Sequence, residues 1–268
     1  MESPIIALMT DFGEDDFFVA SLKGTILKIC PAARIIDITH RVRSFDPQSA
    51  GFVLFACYRY FPERTIFLVI VDPGVGTSRK ILLAQTGKYF FIAPDNGLLT
   101  LALEREEIQN MRAVENEKYF LPQRSRTFEG RDKMAPAAAH LARGVSVDEF
   151  GPEVRDFKKL RLKKAGAKEG EISGHILYTD KFGNLITNIP GEVLHSLRNE
   201  HKEKIPCLQV KGMEVHRCGE SYAAVKKGEL LFLVGSLGLV EIAAREDSAS
   251  RRIRAKPGDP VRIIFHKR

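Results

Sequence analysis

Short apolar runs, separated early in the chain by a segment of helical periodicity, constrain the fold more than any other feature. Runs of this length are typical of buried strands, and they occupy residues 5–9, 35–38, 66–71, 81–84 and 89–92. Between the first two runs, a helix that ends at Pro31 is predicted from the spacing of Phe17, Phe18, Leu22, Ile26 and Ile29. The alternation predicts an α/β domain whose mainly parallel sheet is flanked by helices.

The residue pattern of the sequence changes near residue 170. Glycine-punctuated segments of β type follow, among them GHILYTD, LLFLVG and VRIIFH, and a helix is indicated only around residues 193–198. The basic run KKLRLKKAGAK precedes the change and is typical of a solvated linker. We therefore predict an N-terminal α/β domain over residues 1–160, a basic linker over 161–170 and a β domain over 171–268.

The composition is that of an ordinary globular protein. The chain has 268 residues, of which 44% are apolar and 28% are charged. No apolar run is long enough to span a bilayer, and the start MESPIIALMTDFG lacks the basic region and cleavage site of a signal peptide. We therefore expect a cytoplasmic protein with no membrane partner.

Neither the cysteines nor the net charge identifies a ligand. Cys30, Cys57, Cys207 and Cys218 lack a Cys-x-x-Cys spacing, so we expect reduced thiols and no metal site. The formal net charge of +7 is spread along the chain, and no nucleic-acid-binding signature accompanies it. We therefore expect no nucleic-acid partner and keep nucleic-acid binding as a minority interpretation.

An aspartate directly follows three of the predicted strands. These residues are Asp11 in MTDFG, Asp72 in VIVDPGVG and Asp95 in IAPDNG. Open parallel sheets bind ligands outside the carboxyl ends of their strands, so three carboxylates there would form the polar mouth of a site. The alternative for each is ordinary turn chemistry, because Asp, Asn, Pro and Gly are common turn residues.

The stretch GVGTSR, at residues 74–79, lacks the signatures of nucleotide-binding loops. It has neither the third glycine of the dinucleotide fingerprint nor the Gly-Lys-Ser/Thr of a P-loop, so neither a dinucleotide cofactor nor a triphosphate is supported. Its glycines are expected to let the backbone approach a ligand closely and to set up Arg79. The nucleophile-elbow motif of serine hydrolases does not occur either.

Several motifs occur together along the chain: MTDFG, VDPGVGTSR, APDNG, TFEGRD followed by MAPAAAHLA, YTDKFGNLITNI and GSLGLVEIA. In this order they resemble the S-adenosylmethionine (SAM) hydroxide adenosyltransferases, or SAM hydrolases, which share a superfamily with the SAM-dependent fluorinases and chlorinases. The resemblance extends from Met9 to Ala243. It implies a C-terminal antiparallel β-barrel domain and a homotrimer whose active sites lie between the N-domain of one subunit and the C-domain of its neighbour.

The reaction that the resemblance implies is attack of water or hydroxide on C5′ of SAM, which releases adenosine and L-methionine without a cofactor or a metal. The amino acid end of the substrate would be bound by Asp180 and Ser236, and Asp72 would also contact the substrate. The nucleoside would be bound by a larger set: Asp11 at the ribose hydroxyls, Phe45 and Phe128 against the nucleoside, and Asn184 with Phe182 at the adenine.

The hydrolases of this superfamily resemble one another in a catalytic Asp, Arg and His. Asp72 and Arg79 match the first two, but Glu129 stands where the resemblance places the histidine. The halogenases place Tyr at the positions of Asp72 and Glu129, and the fluorinase places Ser at that of Gly130. The residues of this chain therefore disfavour fluoride chemistry.

Glu129, within RSRTFEGRD, has two interpretations. A carboxylate can orient water, although with an ordinary pKa of about 4.3 it is a weaker base than an imidazole near 6.5. A nearby Asp72 would raise one pKa of the pair, and Arg79 would oppose that rise. We hypothesise that Asp72 and Glu129 together bind the attacking water while Arg79 holds Asp72 in place. The alternative is that Glu129 only neutralises Arg79 or Arg131.

Two other functions are compatible with the same motifs. Without the histidine, the protein would be a non-catalytic module that binds SAM or adenosine, and the pairing of Asp72 with Arg79 argues against this. A halide-using adenosyltransferase is the second alternative.

Overall fold

The apolar runs of the first part of the chain form one six-stranded sheet in the computed structural model, which describes residues 3–168 and 170–267. Its strands are β1 (Ile5–Thr10), β2 (Arg34–Thr39), β3 (Ile66–Ile70), β4 (Ile81–Thr86), β5 (Phe90–Pro94) and β6 (Ile108–Ala113). They lie in the order β2-β1-β3-β5-β4-β6, and β2, β1, β3 and β5 are parallel whereas β4 is antiparallel to both of its neighbours. All five predicted strands are confirmed, and β6 has no counterpart in the prediction.

Helices cover both faces of this sheet. They are α1 (Phe18–Ile29), α2 (Pro47–Cys57), α3 (Thr100–Leu103) and α4 (Ala135–Ala142). α1 and α4 pack on one face and α2 and α3 on the other. α2 begins where Asp46 accepts a hydrogen bond from the N–H of Ser49 at 3.0 Å, with a proline at its first position. A single π-helical turn, Gly130–Met134, leads into α4.

The core divides along the sheet because successive residues of a strand point to opposite faces. In β3, Ile66, Leu68 and Ile70 pack toward α1 and α4, whereas Phe67 and Val69 pack toward α2 and α3. The whole strand is buried, as expected of a central parallel strand covered on both faces. This packing fixes β1 and β3, whose carboxyl ends carry the first two aspartates.

Residues Arg161–Arg268 form a second compact unit, separate from the first, Met1–Leu160. Its elements are β7 (Gly166–Lys168), β8 (Glu171–Thr179), β9 (Leu185–Pro190), α5 (Gly191–Glu200), β10 (Lys204–Val210), β11 (Met213–Val215), β12 (Leu230–Val234), β13 (Leu239–Ala244), α6 (Ala249–Ile253) and β14 (Pro260–Lys267). The strands pair antiparallel in the order β11-β10-β14-β8-β9-β13-β12, and β7 pairs with β8. A bridge from Cys218 to Phe232 joins the segment after β11 to β12, so the sheet curls into a barrel-like form. The predicted fold class, α/β with a C-terminal antiparallel barrel domain, is confirmed.

The segment predicted as a basic linker, residues 161–170, lies at the start of the second unit. Within it, Gly166–Lys168 is strand β7, and Glu169 lies outside the described residues. Of the helices that the structure describes, none is both long enough and apolar enough to cross a bilayer.

Candidate active site

A cavity of about 270 Å³ opens at the carboxyl edge of the first sheet, where β1 and β3 end. Asp11 and Asp72, which follow these strands, line it. Four aromatic side chains supply much of the remaining wall: Phe12, Phe18, Phe45 and Phe128. The cavity therefore combines carboxylates with flat apolar surfaces, which suits a ligand that carries both hydroxyl groups and an aromatic ring.

Asp95 does not line this cavity, although it follows β5 at the same edge of the sheet. It is buried, and its Oδ1 accepts a hydrogen bond from the N–H of Lys158 at 2.8 Å. The neighbouring Asn96 donates from Nδ2 to the carbonyl of Val71 at 2.8 Å. The prediction of a polar mouth with three carboxylates is therefore wrong for Asp95, whose side chain binds the backbone near the end of the first unit.

Asp11 fixes the backbone of Phe45 in an unusual conformation. Its Oδ2 accepts the N–H of Phe45 at 2.9 Å, and Phe45 has a φ of 61°, in the left-handed region that bulky residues rarely adopt. The Phe45 side chain remains exposed beside the cavity. Burial raises the pKa of Asp11; backbone hydrogen bonds lower it and the charge of Asp72 raises it, so that the net shift is upward. Local strain of this kind clusters at binding sites.

Phe128 is buried against the Phe18 ring, with 5.2 Å between the two centroids. The guanidinium of Arg131 lies 4.9 Å from the centroid of Phe128, and its Nε donates to Asp132 at 2.6 Å. Arg131 is therefore paired with Asp132, and the alternative that Glu129 neutralises Arg131 is not supported.

Arg79 lies between Asp72 and Glu129 and binds both. Its Nε donates to Asp72 Oδ2 at 2.8 Å, and its Nη2 donates to the same oxygen and to Glu129 Oε2 at 2.5 Å each. All three side chains are 6–7% exposed. Burial lowers the pKa of Arg79, but the two carboxylates raise it more, so the guanidinium stays charged. The three residues predicted to be catalytic thus meet at one point.

Lys133, which sequence reasoning missed, completes this cluster. Its Nζ lies 2.5 Å from Glu129 Oε1. Burial raises the pKa of Glu129, but the hydrogen bond from Lys133 and the charge of Arg79 lower it by more, and the net shift is downward. The rise expected from a neighbouring carboxylate is therefore absent at Glu129, because each of its oxygens has a cationic partner. The spacing of four residues between Glu129 and Lys133 was the available signal in the sequence.

Of the three predicted catalytic residues, Asp72 lines the cavity, whereas Arg79 and Glu129 are not among its lining residues. Asp72 is also held from its own loop, because its Oδ1 accepts the N–H of Gly74 at 3.1 Å. In the same loop, Gly76 has a φ of 78°, and a Cβ there would lie 2.6 Å from the carbonyl oxygen of Arg126. The glycine thus permits the loop of Asp72 and Arg79 to pack against the segment that leads to Glu129.

Three of the four predicted binding residues of the second unit meet in the turn after β8. Asp180 Oδ1 accepts the N–H groups of Phe182 and Asn184, and its Oδ2 accepts from Asn184 Nδ2, all at 2.9 Å. Phe182 is exposed and Asn184 is buried. Ser236 lies in a different turn, between β12 and β13, and is exposed.

Glu241, a second residue that sequence reasoning missed, lies buried near Asp180. Its Oε1 accepts a hydrogen bond from the hydroxyl of Tyr222 at 2.5 Å. Burial raises the pKa of Glu241; the Tyr222 hydrogen bond lowers it and the charge of Asp180 raises it, with a net rise. A single acid inside the apolar strand segment LVEIAA was the signal in the sequence.

One group of side chains among the described residues has the spacing of metal ligands. Cys207, Glu214 and His266 of the second unit offer ligand atoms that all lie within 4.8 Å of one another. Glu214 also accepts a hydrogen bond from Gln209 at 2.9 Å. Burial and the charge of Glu214 raise the pKa of Cys207, which disfavours the thiolate that a metal would require.

A larger concavity, of about 900 Å³, lies at the opposite edge of the first sheet, beside the first residues of β1, β3 and β5. Ligands of open α/β sheets bind at the carboxyl edge. Because the carboxylates and exposed aromatic surface lie at that edge, we assign the candidate site to the smaller cavity.

The fold and this cavity define a class of two-domain proteins in which an α/β unit with a carboxylate- and aromatic-lined cavity precedes an antiparallel barrel-like unit. Two family models match the chain: the SAM hydroxide adenosyltransferase N-terminal domain over residues 6–151 and the corresponding C-terminal domain over residues 174–262. The protein belongs to the SAM hydroxide adenosyltransferase family.

Individual relatives agree with this assignment. An (R)-S-adenosyl-L-methionine hydrolase of Thermus thermophilus is 33% identical, with 97% of this chain and 99% of that protein covered. A fluorinase of an Actinoplanes species is 32% identical over 70% of this chain and 72% of that protein. The crystal structure of an uncharacterized conserved protein from Thermotoga maritima matches with a TM-score of 0.91 and 36% identity, over 97% of this chain and 99% of that chain. The resemblance drawn from the motifs is confirmed.

Proposed function

We propose that the protein hydrolyses SAM at C5′ to adenosine and L-methionine. Family membership and the hydrolases among its relatives support the substrate and the reaction. The observation that carries the proposal is Asp72, a carboxylate at the cavity wall that Arg79 and the backbone of its own loop hold in one orientation. The reaction is proposed to occur in the cytoplasm and to need neither a cofactor nor a metal.

In the proposed complex, the nucleoside part of SAM occupies the cavity of the first unit. Asp11 accepts hydrogen bonds from the ribose hydroxyls, because a carboxylate is an acceptor that matches two adjacent hydroxyl donors. Phe45 and Phe128 pack against the nucleoside, and the exposure of Phe45 in this structure leaves its ring available for that contact. These apolar walls exclude water from the reacting centre.

The proposed chemical step is an in-line displacement. The oxygen of one water molecule forms a bond to C5′, the C5′–S bond breaks, and its electron pair remains on sulfur as the neutral thioether of methionine. Asp72 orients the water and accepts its proton on the way to solvent. Since the sulfonium loses its positive charge in this step, an environment with little water favours the displacement. Correct placement of a nucleophile can lower a barrier by about 7–11 kcal/mol in favourable cases.

Glu129 is proposed to act behind Asp72 and not on the water itself. Both of its oxygens bind cations, its pKa is lowered by Lys133 and Arg79 against the opposing effect of burial, and it is not among the residues that line the cavity. A carboxylate in this state is a poor base. Of the two interpretations of Glu129, the geometry supports the one in which Glu129 is a partner of Arg79.

The remaining contacts are proposed to come from the second unit of a neighbouring subunit in a homotrimer. Asn184 and Phe182 would bind the adenine, and Asp180 and Ser236 would bind the amino acid end. The arrangement in one turn of Asp180, Phe182 and Asn184 supports a common role for these three residues.

Fluoride transfer is disfavoured by the residues at and around position 130. A Cβ on Gly130 would lie 3.2 Å from Cδ1 and 3.3 Å from Cγ2 of Ile70, so Ile70 would have to shift by a few tenths of an ångström to admit a serine. The glycine therefore supplies no hydroxyl here, and the present packing of Ile70 suits its absence.

The test is chromatography of SAM incubated with pure protein, first in halide-free buffer and then with added chloride, against a sample without protein. We expect adenosine and methionine in equal amounts in both. Formation of 5′-chloroadenosine only when chloride is present would replace the proposal with halide transfer. Recovery of unchanged SAM in both samples, together with measurable binding, would replace it with a binding module.

A further inference from the structure

The buried cluster around Arg79 has a balanced charge only when Lys133 is included. Asp72 and Glu129 carry one negative charge each, and Arg79 carries one positive charge; these three side chains are 6–7% exposed. Lys133, with a side chain that is 30% exposed, supplies the second positive charge from the edge of the cluster. An uncompensated charge in such a place is strongly unfavourable.

We infer that Lys133 is a positioning residue of the active site, which neutralises Glu129 and thereby leaves Arg79 to hold Asp72. The inference rests on the proposed function, since it assigns Lys133 to the site at which that reaction would occur. Arg79 Nη2 contacts both carboxylates, so the two compete for one guanidinium. Without Lys133, Glu129 would keep Arg79 as its cationic partner and draw it away from Asp72.

Local structure holds Lys133 in this role. Glu129 is the N-terminal cap of the π-helical turn Gly130–Met134, and the turn brings Lys133, four residues later, back over the Glu129 carboxylate. The Nζ of Lys133 also lies 5.7 Å from the centroid of the Phe120 ring, a cation–π contact that favours this position of the ammonium. π-Helical turns are frequently found at functional sites.

The charged groups that face Glu129 come from two elements. The loop after β3 contributes Arg79, with Asp72 behind it, and the π-helical turn contributes Lys133. Apart from burial, which acts in the opposite direction, the hydrogen bond from Lys133 is the largest influence on the pKa of Glu129. Loss of Lys133 therefore raises the pKa of Glu129, so that this carboxylate takes up its proton at a higher pH.

The experiment measures kcat and KM for adenosine release by the full chain across pH, for the wild type and for Lys133→Met. We expect kcat to fall about 10- to 100-fold, as is usual when a supporting residue is lost, with little change in KM. The loss of kcat should be largest at neutral pH and should shrink as the pH falls, because protonated Glu129 no longer competes with Asp72 for Arg79. The matched control is Lys23→Met, because the Nζ of Lys23 lies 2.5 Å from Asp37 and its side chain is 34% exposed. This control removes a lysine of similar exposure from a more exposed partner, Asp37, so it should lose less stability and keep the kcat profile of the wild type.

Rescue separates neutralisation from mere structural support. The double variant Glu129→Gln with Lys133→Met again has a balanced cluster, so it should regain most of the kcat that Lys133→Met loses. A kcat and pH profile unchanged in Lys133→Met, or a double variant as defective as the single one, would overturn the inference.

Failure of the proposed function would be recognised separately, because the wild type itself would then release no adenosine. Thermal unfolding would still test the charge balance in that case. We expect Lys133→Met to unfold at a lower temperature than the double variant at neutral pH, and to match it once the pH is low enough to protonate Glu129. Equal unfolding temperatures of the two variants at neutral pH would contradict the charge balance.

Discussion

Asp72 is held at three points: Arg79 reaches its Oδ2 through two nitrogens, and the N–H of Gly74 reaches its Oδ1. Asparagine has nearly the same shape but cannot accept a proton from water or pair with a guanidinium as an anion. We expect Asp72→Asn to lower kcat about 100-fold or more, the range typical of a lost proton acceptor. Steady-state release of adenosine measures the effect.

Asp95→Asn is the matched control for this variant, because Asp95 follows a neighbouring strand at the same edge and lies outside the cavity lining. It should lower the unfolding temperature and leave kcat near that of the wild type. Equal losses of kcat in the two variants would mean that Asp72 supports the fold and not the reaction.

Glu241 gives a prediction about pH and stability. Burial raises the pKa of Glu241, the Tyr222 hydrogen bond lowers it, and the charge of Asp180 raises it, with a net rise. The ionised form of Glu241 is therefore disfavoured in the folded protein. Below its ordinary pKa, Glu241 is protonated in both states and no penalty arises; above the raised pKa, folding must bury a charge. Glu241→Gln should therefore stabilise the protein at neutral pH, by about 1–3 kcal/mol, and have little effect near pH 4. Thermal unfolding at both pH values checks this.

The control for Glu241 is Glu246→Gln. Glu246 is exposed and pairs with Lys227 at 3.1 Å, so its replacement should change stability little at either pH. A Glu241→Gln variant that is less stable than the wild type at neutral pH would show that the ionised carboxylate is needed where it lies.

Residue by residue, the sequence revealed the members of the site that belong to family motifs, and it missed those that depend on geometry. Asp72, Arg79 and Glu129 stand in quoted motifs, and they meet in the structure. The spacing of four residues hinted at a contact between Lys133 and Glu129, but a single sequence does not show that this segment forms the π-helical turn that makes the contact. Asp95 shows the opposite error: its position after a strand predicted a place in the site, but its side chain binds the backbone of Lys158 and does not line the cavity.

At the scale of elements, the prediction succeeded where apolar residues form an uninterrupted run, as in β3, whose two faces are both covered by helices. It omitted β6, whose sequence IQNMRA is polar because the strand lies at an edge of the sheet. It also omitted α2, although Asp46 and Pro47 form a recognisable start, because apolar residues do not mark one face of this helix. Burial on several sides removes the periodicity on which helix prediction depends.

The loop of residues 72–79 gives a prediction at the same scale, because Gly76 lets it pack against the carbonyl of Arg126. Gly76→Ala should shift both segments, since a Cβ would lie 2.6 Å from that oxygen and the φ of 78° is unfavourable for alanine. We expect a loss of stability of about 2–3 kcal/mol together with a reduced kcat, because Arg79 and Glu129 lie on the two displaced segments.

Gly144→Ala separates the effect of the left-handed backbone conformation from the effect of the close approach to Arg126. Gly144 has a φ of 92°, but a Cβ there would have no atom within 4 Å. This variant should lose only the roughly 1 kcal/mol that the left-handed conformation costs, with kcat unchanged. If Gly76→Ala behaves like Gly144→Ala in both measurements, the close approach to Arg126 does not matter for the site.

For the whole molecule, the boundary between the two units coincides with a change in the residue pattern of the sequence. The assembly of several copies of the chain cannot be predicted from any pattern in one sequence. A surface that contacts another copy and a surface that packs into the core are both apolar, so one sequence cannot separate them. The proposed homotrimer therefore depends on the family resemblance, and it requires Asp72 and Asn184 to act on the same substrate from different copies of the 30.1 kDa chain.

Complementation between two inactive variants tests this arrangement. Asp72→Asn alters only the first unit, and Asp180→Ala, which removes the partner of Asn184, alters only the second. If each site combines the first unit of one copy with the second unit of its neighbour, random mixing of the variants in trimers creates about one intact site in four. Co-expressed variants should then regain about a quarter of the wild-type kcat, whereas the separate proteins mixed after assembly should not. If each site belongs to a single chain, no mixture contains an intact site, and co-expression would restore nothing even though light scattering finds three copies per particle.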